Sequence, residues 1–226
     1  MNKTEKLSRQ VKNREILNKI TPEIALEMLI DGNKRFVSKE MIERKHEWHI
    51  RKTIDSQHPF AIVLGCIDSR VEPSIIFDQG IGDLFIVRIA GNIINQDILG
   101  SMEYAVAIAG SKLILVLGHT SCGAVKGAID GIVLDNLTPS LRHIKLAIER
   151  VKTEDNINRS SKNSDFVDMV ARQNMKQSIV DIKEQSPIIR RLYENGELDI
   201  VGAIYNHTTG EVTFCCYGKN NLNKND

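Results

Sequence analysis

Apolar residues recur along this chain in two rhythms. Leu7, Val11, Ile16, Leu17 and Ile20 mark a first helical stripe. Thr21-Pro22 then joins a capping side chain to a proline suited to the first helical position. The helix it opens runs through Ile24, Leu26, Met28, Leu29 and Phe36. Phe60 to Cys66 is instead a continuous apolar run, as expected of a strand buried on both faces. Leu84 to Ala90 reads as a second strand, and Leu113 to Leu117 repeats the buried pattern. Between these strands a short helix is expected after Pro73 and a small-residue helix over Ile98 to Ala109. A further helix should start near Cys122, and Thr138-Pro139 repeats the cap-and-proline signature before Leu141 to Val151. Thr153 to Ser164, rich in Asn and Ser, reads as a loop. Phe166 to Gln185 reads as a long helix, and Pro187 starts another that stops at Asn195-Gly196. Ile200 to Tyr205 and Val212 to Cys215 read as two strands joined through Thr208-Thr209-Gly210.

Continuous apolar strands alternating with helices predict an α/β fold. Its central sheet is mainly parallel, with helices on both faces, an antiparallel edge from the last two strands and an N-terminal helical arm. The expected organisation is a helical extension over residues 1–20, a single domain over 21–218 and a flexible tail over 219–226. In such a sheet the functional crevice lies outside the carboxyl ends of the strands.

Composition narrows the function classes. The 226 residues are 42% apolar and 26% charged, which argues against disorder. Thirty Lys and Arg offset 29 Asp and Glu, so the chain lacks the concentrated positive charge of a nucleic-acid binder. No apolar stretch approaches the roughly 18 residues of a membrane helix. Met1 to Ile20 lacks the apolar core of a signal peptide. The expected setting is therefore the cytoplasm, with neither nucleic acid nor membrane as partner. The mild basic excess near the N-terminus reads as a solvated helical face. Four cysteines are too few for a disulfide scaffold, and thiols available for metal or catalysis are expected instead.

The chemistry-bearing residues sit at strand ends. Cys66 closes the first strand, His119 follows the third, and Cys122 comes after two intervening residues. If the two strands are neighbours, two thiolates and an imidazole converge, a donor set suited to Zn²⁺. Three protein ligands leave one coordination position open, as in catalytic sites. Asp68 lies two residues from Cys66. It can fill the open position and make the site inert, or Arg70 can hold it off through a bidentate pair.

These residues resemble the β-class carbonic anhydrases over roughly residues 21 to 215. The resemblance rests on Cys66-Ile67-Asp68-Ser69-Arg70, Arg88-Ile89-Ala90-Gly91-Asn92, Ser101-Met102-Glu103-Tyr104-Ala105-Val106 and His119-Thr120-Ser121-Cys122-Gly123. Val201-Gly202-Ala203-Ile204-Tyr205 resembles the family's closing strand. Ile67 and Ser121 depart from the residues common in the family, and neither is a ligand position.

The resemblance implies one Zn²⁺ per subunit on Cys66, His119 and Cys122, with Asp68 and Arg70 as the catalytic dyad. It implies substrate-binding roles for Gln57, Phe85, Tyr104 and Gly123. Gln57 and Phe85 stand at the spacing from Cys66 of the family's plant-like branch. In the family Gln57, Phe85 and Tyr104 come from the neighbouring subunit, so a homodimer or dimer of dimers is implied. The implied reaction is reversible hydration of carbon dioxide to bicarbonate and a proton by zinc-bound hydroxide. Alternatives on the same scaffold are hydrolysis of carbonyl sulfide or carbon disulfide, and a zinc-stabilised dimerisation module without turnover. One branch of the family has an inhibitory bicarbonate pocket with a Trp three residues before the zinc cysteine. Val63 stands there, implying that this inhibition is absent. The proton must finally reach buffer, and His46, His49, His58, His143 and His207 are each open as relays.

Overall fold

The computed structural model describes residues 3–154 and 157–216. The predicted tail over 219–226 lies outside the described residues, as does the last stretch of the predicted domain. Four helices lead in: α1 (Lys3–Ser8), α2 (Arg14–Asn18), α3 (Pro22–Ser38) and α4 (His46–Lys52). Then come β1 (Ala61–Gly65), α5 (Pro73–Ile76), β2 (Leu84–Arg88), a 3₁₀ turn at Ala90–Asn92 and α6 (Gln96–Glu103). A π-helical turn, Tyr104–Ile108, leads to β3 (Leu113–His119). The remainder is α7 (Gly123–Ile129), α8 (Leu137–Arg150), α9 (Ser164–Gln185), α10 (Pro187–Glu194), β4 (Asp199–Tyr205) and β5 (Val212–Cys216).

The strands form one sheet in the order β2-β1-β3-β4-β5. The first three pairings are parallel, and β5 closes one edge antiparallel to β4. Alternation along the strands divides the core between two faces. Val63, Leu113 and Leu115 face α3 and α5 with Met28, Leu29 and Phe77, while Ile62, Leu64 and Val116 face α6, α9 and α10 with Met102, Met175 and Ile189. A third apolar cluster caps the carboxyl end of the sheet, where α7, α8 and α9 bring together Val125, Ile144 and Phe166 around Cys66 and Cys122. Among the described residues no helix is long and apolar enough to cross a membrane.

The predicted α/β architecture stands, three local expectations are corrected and one helix was not anticipated. The first helical stripe is two helices, because Asn13 caps α2 by accepting the Ile16 amide at 2.9 Å and so interrupts the run. Thr138 does not cap α8. Its hydroxyl accepts the Leu134 amide at 2.7 Å, and the helix starts one residue before it at Leu137, so Pro139 lies inside the first turn, where proline is tolerated. The helix over Ile98 to Ala109 changes to π geometry at Tyr104. Helix α4 has no side-chain cap to announce it in the sequence.

Residues 3–20 pack into this same core. Leu17 and Ile20 are buried beside Ala25 and Met28, and Thr4 donates to Asp31 of α3 at 2.5 Å. Lys12 is buried as an ion pair with Asp83, 2.9 Å away, and Asp83 also accepts the Gly80 amide at 2.9 Å. Burial lowers the pKa of Lys12, and Asp83 opposes that shift. Without the ammonium, Asp83 would be a buried charge with no counter-ion. Lys12→Ala is therefore expected to lower unfolding free energy by about 3–5 kcal/mol, read from urea titration.

Candidate metal centre

Parallel pairing of β1 with β3 is what assembles the site. Gly65 stands opposite Leu117, so the two chains run out of the sheet side by side. Cys66 is the next residue after β1, His119 is the last of β3, and Cys122 caps α7. All three side chains are buried, and their ligand atoms lie within 4.8 Å of one another. The sulfurs of Cys66 and Cys122 are 4.0 Å apart. His119 is fully buried; its Nδ1 lies 3.0 Å from the Thr120 carbonyl and 2.9 Å from His207 Nε2. Its Nε2 is buried and, among the described residues, has no hydrogen-bond partner. That nitrogen is the one left to face the thiols.

The two thiols shift in opposite directions. The hydrogen bond from Cys122 pushes the Cys66 thiol down; burial opposes this, while His119 and the Gly91 amide reinforce it. The Cys66 hydrogen bond and burial push Cys122 up. Gly91 reaches Cys66 Sγ at 3.4 Å from a turn with φ of 72°, in the left-handed region that favours glycine. A side chain there would also meet Ile144.

Asp68 is clamped by Arg70. Nε donates to Oδ1 at 2.9 Å, Nη2 to Oδ2 at 2.7 Å, and the Arg70 amide to Oδ1 at 3.0 Å. The Arg70 guanidinium holds the Asp68 carboxyl well below the usual carboxylate range. Arg88 fixes the turn between these residues, donating to the Cys66 carbonyl at 2.9 Å and the Asp68 carbonyl at 2.6 Å. Helix α9 holds both loops of the site. Asp168 accepts the Ser121 amide at 2.8 Å, where Ser121 adopts φ of 54°. Asn174 donates to the Gly91 carbonyl at 2.7 Å, and Ser178 to the Asn92 carbonyl at 3.0 Å.

A sequence profile of the carbonic anhydrase family matches residues 61–212. A carbonic anhydrase of Mycolicibacterium smegmatis is 37% identical over 192 residues, spanning 84% of this chain and 92% of that protein. Carbonic anhydrase 2 of Mycobacterium tuberculosis is 37% identical over 191 residues, 81% of this chain and 88% of its own. Among solved structures, the Coccomyxa β-carbonic anhydrase in complex with acetazolamide is similar with a TM-score of 0.65 and 25% identity, over 84% of this chain and 85% of that one. A tetrameric β-carbonic anhydrase of Sordaria macrospora has the same fold, with a TM-score of 0.66 and 22% identity over 86% of this chain and 98% of that one.

The chain belongs to the β-class carbonic anhydrases. Family membership supports carbon dioxide hydration, a carbonate dehydratase (lyase) activity, as its general reaction. The donor set of this carbonic anhydrase fits Zn²⁺. Two Zn–S bonds of about 2.3 Å at a tetrahedral angle would separate the sulfurs by about 3.8 Å, close to the 4.0 Å between Cys66 and Cys122. A buried imidazole nitrogen without a partner completes the set.

The predicted pocket residues fall into separate places. Gly123 lines an apolar cavity of about 310 Å³ with Cys66, Asp68, Ile67, Ile132 and Leu141. A Cβ at Gly123 would meet nothing within 4 Å. Phe85 and Tyr104 stand edge to face, 6.2 Å apart, over a different cavity between β2 and α6. Gln57 lines a third beside Ile54 and Gly82. Within one chain, none of these three lines the cavity beside the thiols. Of the five histidines open as relays, His207 lies against His119, whereas His46 and His143 are exposed and His49 is buried near Gly80. Burial, then His119 and Arg70, holds His207 below the usual imidazole range, opposed by Asp68 and Asp168.

The carbonic anhydrase motifs missed Asp168, Asn174 and Ser178, whose spacing on α9 resembles that of any solvated helix face. Purified Cys122→Ala is expected to contain no stoichiometric zinc by plasma emission analysis. Cys215→Ser, on the edge strand, should keep about one ion per chain.

Proposed function

We propose that this protein hydrates carbon dioxide reversibly at a Zn²⁺ held by Cys66, His119 and Cys122, one ion per subunit. The observation that carries this reading is the buried, unpartnered Nε2 of His119 converging on two thiols beside a carboxylate already engaged by arginine. When bound, zinc supplies a water that ionises near neutral pH.

The chain's own residues do the rest. Both oxygens of Asp68 accept from Arg70, which keeps the carboxylate ionised, leaves it lone pairs for a further donor and would hold it away from a metal on the three donors. Asp68 accepts a hydrogen bond from the attacking water and so aims its lone pair at the substrate carbon. Arg70 fixes Asp68. The apolar wall formed by Ile67, Ile132 and Leu141 suits an uncharged linear molecule and excludes competing water. The inert dimerisation module requires Asp68 on the metal, and the arginine clamp opposes it.

Gln57, Phe85 and Tyr104 act in the site of a neighbouring subunit in this reading, Gln57 through its amide and the rings through apolar contact. Their separation from the thiols within one chain supports that arrangement, as do the exposed side chains of Ile86 and Tyr104 lining the cavity beside β2. The assembly is thus a homodimer or a dimer of dimers.

Stopped-flow hydration assays with parallel zinc analysis test the reading. Asp68→Asn should lose about 10²-fold or more in turnover while zinc stays near one per chain. Equal turnover would remove Asp68 from the mechanism. Asp68→Asn and Tyr104→Ala chains, each impaired alone, should regain activity when refolded together, because a mixed dimer contains one site with both residues intact. No recovery in confirmed mixed dimers would place Tyr104 in its own chain's site.

A further inference from the structure

We propose that His207 is a positioning residue of the metal site, taking the Nδ1 hydrogen of His119 and fixing which nitrogen of His119 faces the two thiols. The inference rests on the reading of His119 as a ligand. An imidazole that offers Nε2 to a metal must carry its hydrogen on Nδ1. In this chain Nδ1 has two acceptors within reach, the Thr120 carbonyl at 3.0 Å and His207 Nε2 at 2.9 Å. The carbonyl belongs to the adjoining residue and travels with the same turn. His207 comes from beyond β4, a separate strand, and holds the ring from outside that turn.

His207 is itself held in place. Its amide donates to Thr120 Oγ1 at 3.1 Å, and the Thr120 amide donates to the Tyr205 carbonyl at 3.0 Å. Its ring stands edge-on to Tyr205, with centroids 5.3 Å apart. With the His119 contact, three hydrogen bonds clasp residues 119–120 to residues 205–207. Register places His119 opposite Tyr205, so the clasp continues the parallel ladder of β3 and β4 past its last rung. An acceptor on the far nitrogen of a ligating histidine orients the ring and strengthens the donor nitrogen. A His207 whose Nε2 lone pair points at His119 has no hydrogen there for Asp68. The separation of 3.9 Å from Asp68 Oδ2 is too long for a hydrogen bond in any case. His207 thus supports the ligand and makes no hydrogen bond to Asp68.

The test is zinc affinity of the full chain, measured by competition with a chromophoric chelator. His207→Leu is expected to bind zinc about tenfold to hundredfold more weakly. His207→Gln, whose side-chain carbonyl can accept the same hydrogen, should recover part of the loss. In zinc-loaded protein carrying ¹⁵N-labelled histidine, His119 should appear as a slowly exchanging Nδ1–H, and the leucine variant should lose that protection. If His207→Leu fails to fold, His207→Phe keeps the ring against Tyr205 and carries the same expectation. Zinc affinity within twofold of wild type, with the protected signal intact, overturns the proposal alone. A folded wild-type chain without zinc affinity overturns the ligand assignment and this proposal with it.

Discussion

Three donor atoms buried away from water must satisfy one another or share an ion, and this constraint governs the carboxyl end of the sheet. Cys66, His119 and Cys122 are among the least exposed residues of the chain. Two thiols can share a proton, but the imidazole nitrogen beside them has nothing to accept from among the described residues. Burying such a group without a partner costs on the order of 1–3 kcal/mol. A divalent ion would remove that cost in one step, since it would be attracted to both thiolates and the free lone pair. The parallel pairing of β1 and β3 creates the convergence, and the apolar packing of α7, α8 and α9 around it keeps water away.

Much of this was legible in the chain because β1 and β3 are buried on both faces. Phe60 to Cys66 and Leu113 to Leu117 have no polar interruption, so their ends, and hence the positions of Cys66 and His119, could be read to within about two residues. What could not be read depends on choices between equivalent local signals. Asn13 and Thr138 are both capable caps, but only Asn13 caps a helix, because Thr138 is already committed to the Leu134 amide. The π turn at Tyr104 leaves no trace in apolar spacing, since it shifts the helix by less than one turn.

The chemical residues divide along the same line. Local motifs reveal a ligand or a dyad when its members are close in sequence, as Asp68 and Arg70 are. Gln57, Phe85 and Tyr104 came from family resemblance alone, because their partners are not in the same stretch of chain. Contacts between residues far apart in sequence carry no local signal. Arg88 is 22 residues from Cys66, Asn174 is 83 from Gly91, and His207 is 88 from His119. Only the strand order makes those separations short.

Helix α9 has a consequence for how the site can move. Asp168 and Ser178 are ten residues apart, about 15 Å along one rigid rod. They anchor the loop after β3 and the turn after β2 respectively, and Asn174 between them anchors the turn as well. Neither segment can swing open alone without breaking a hydrogen bond to a shared beam. A tilt of the rod carries both segments together, whereas opening one alone costs the hydrogen bonds that tie it to α9.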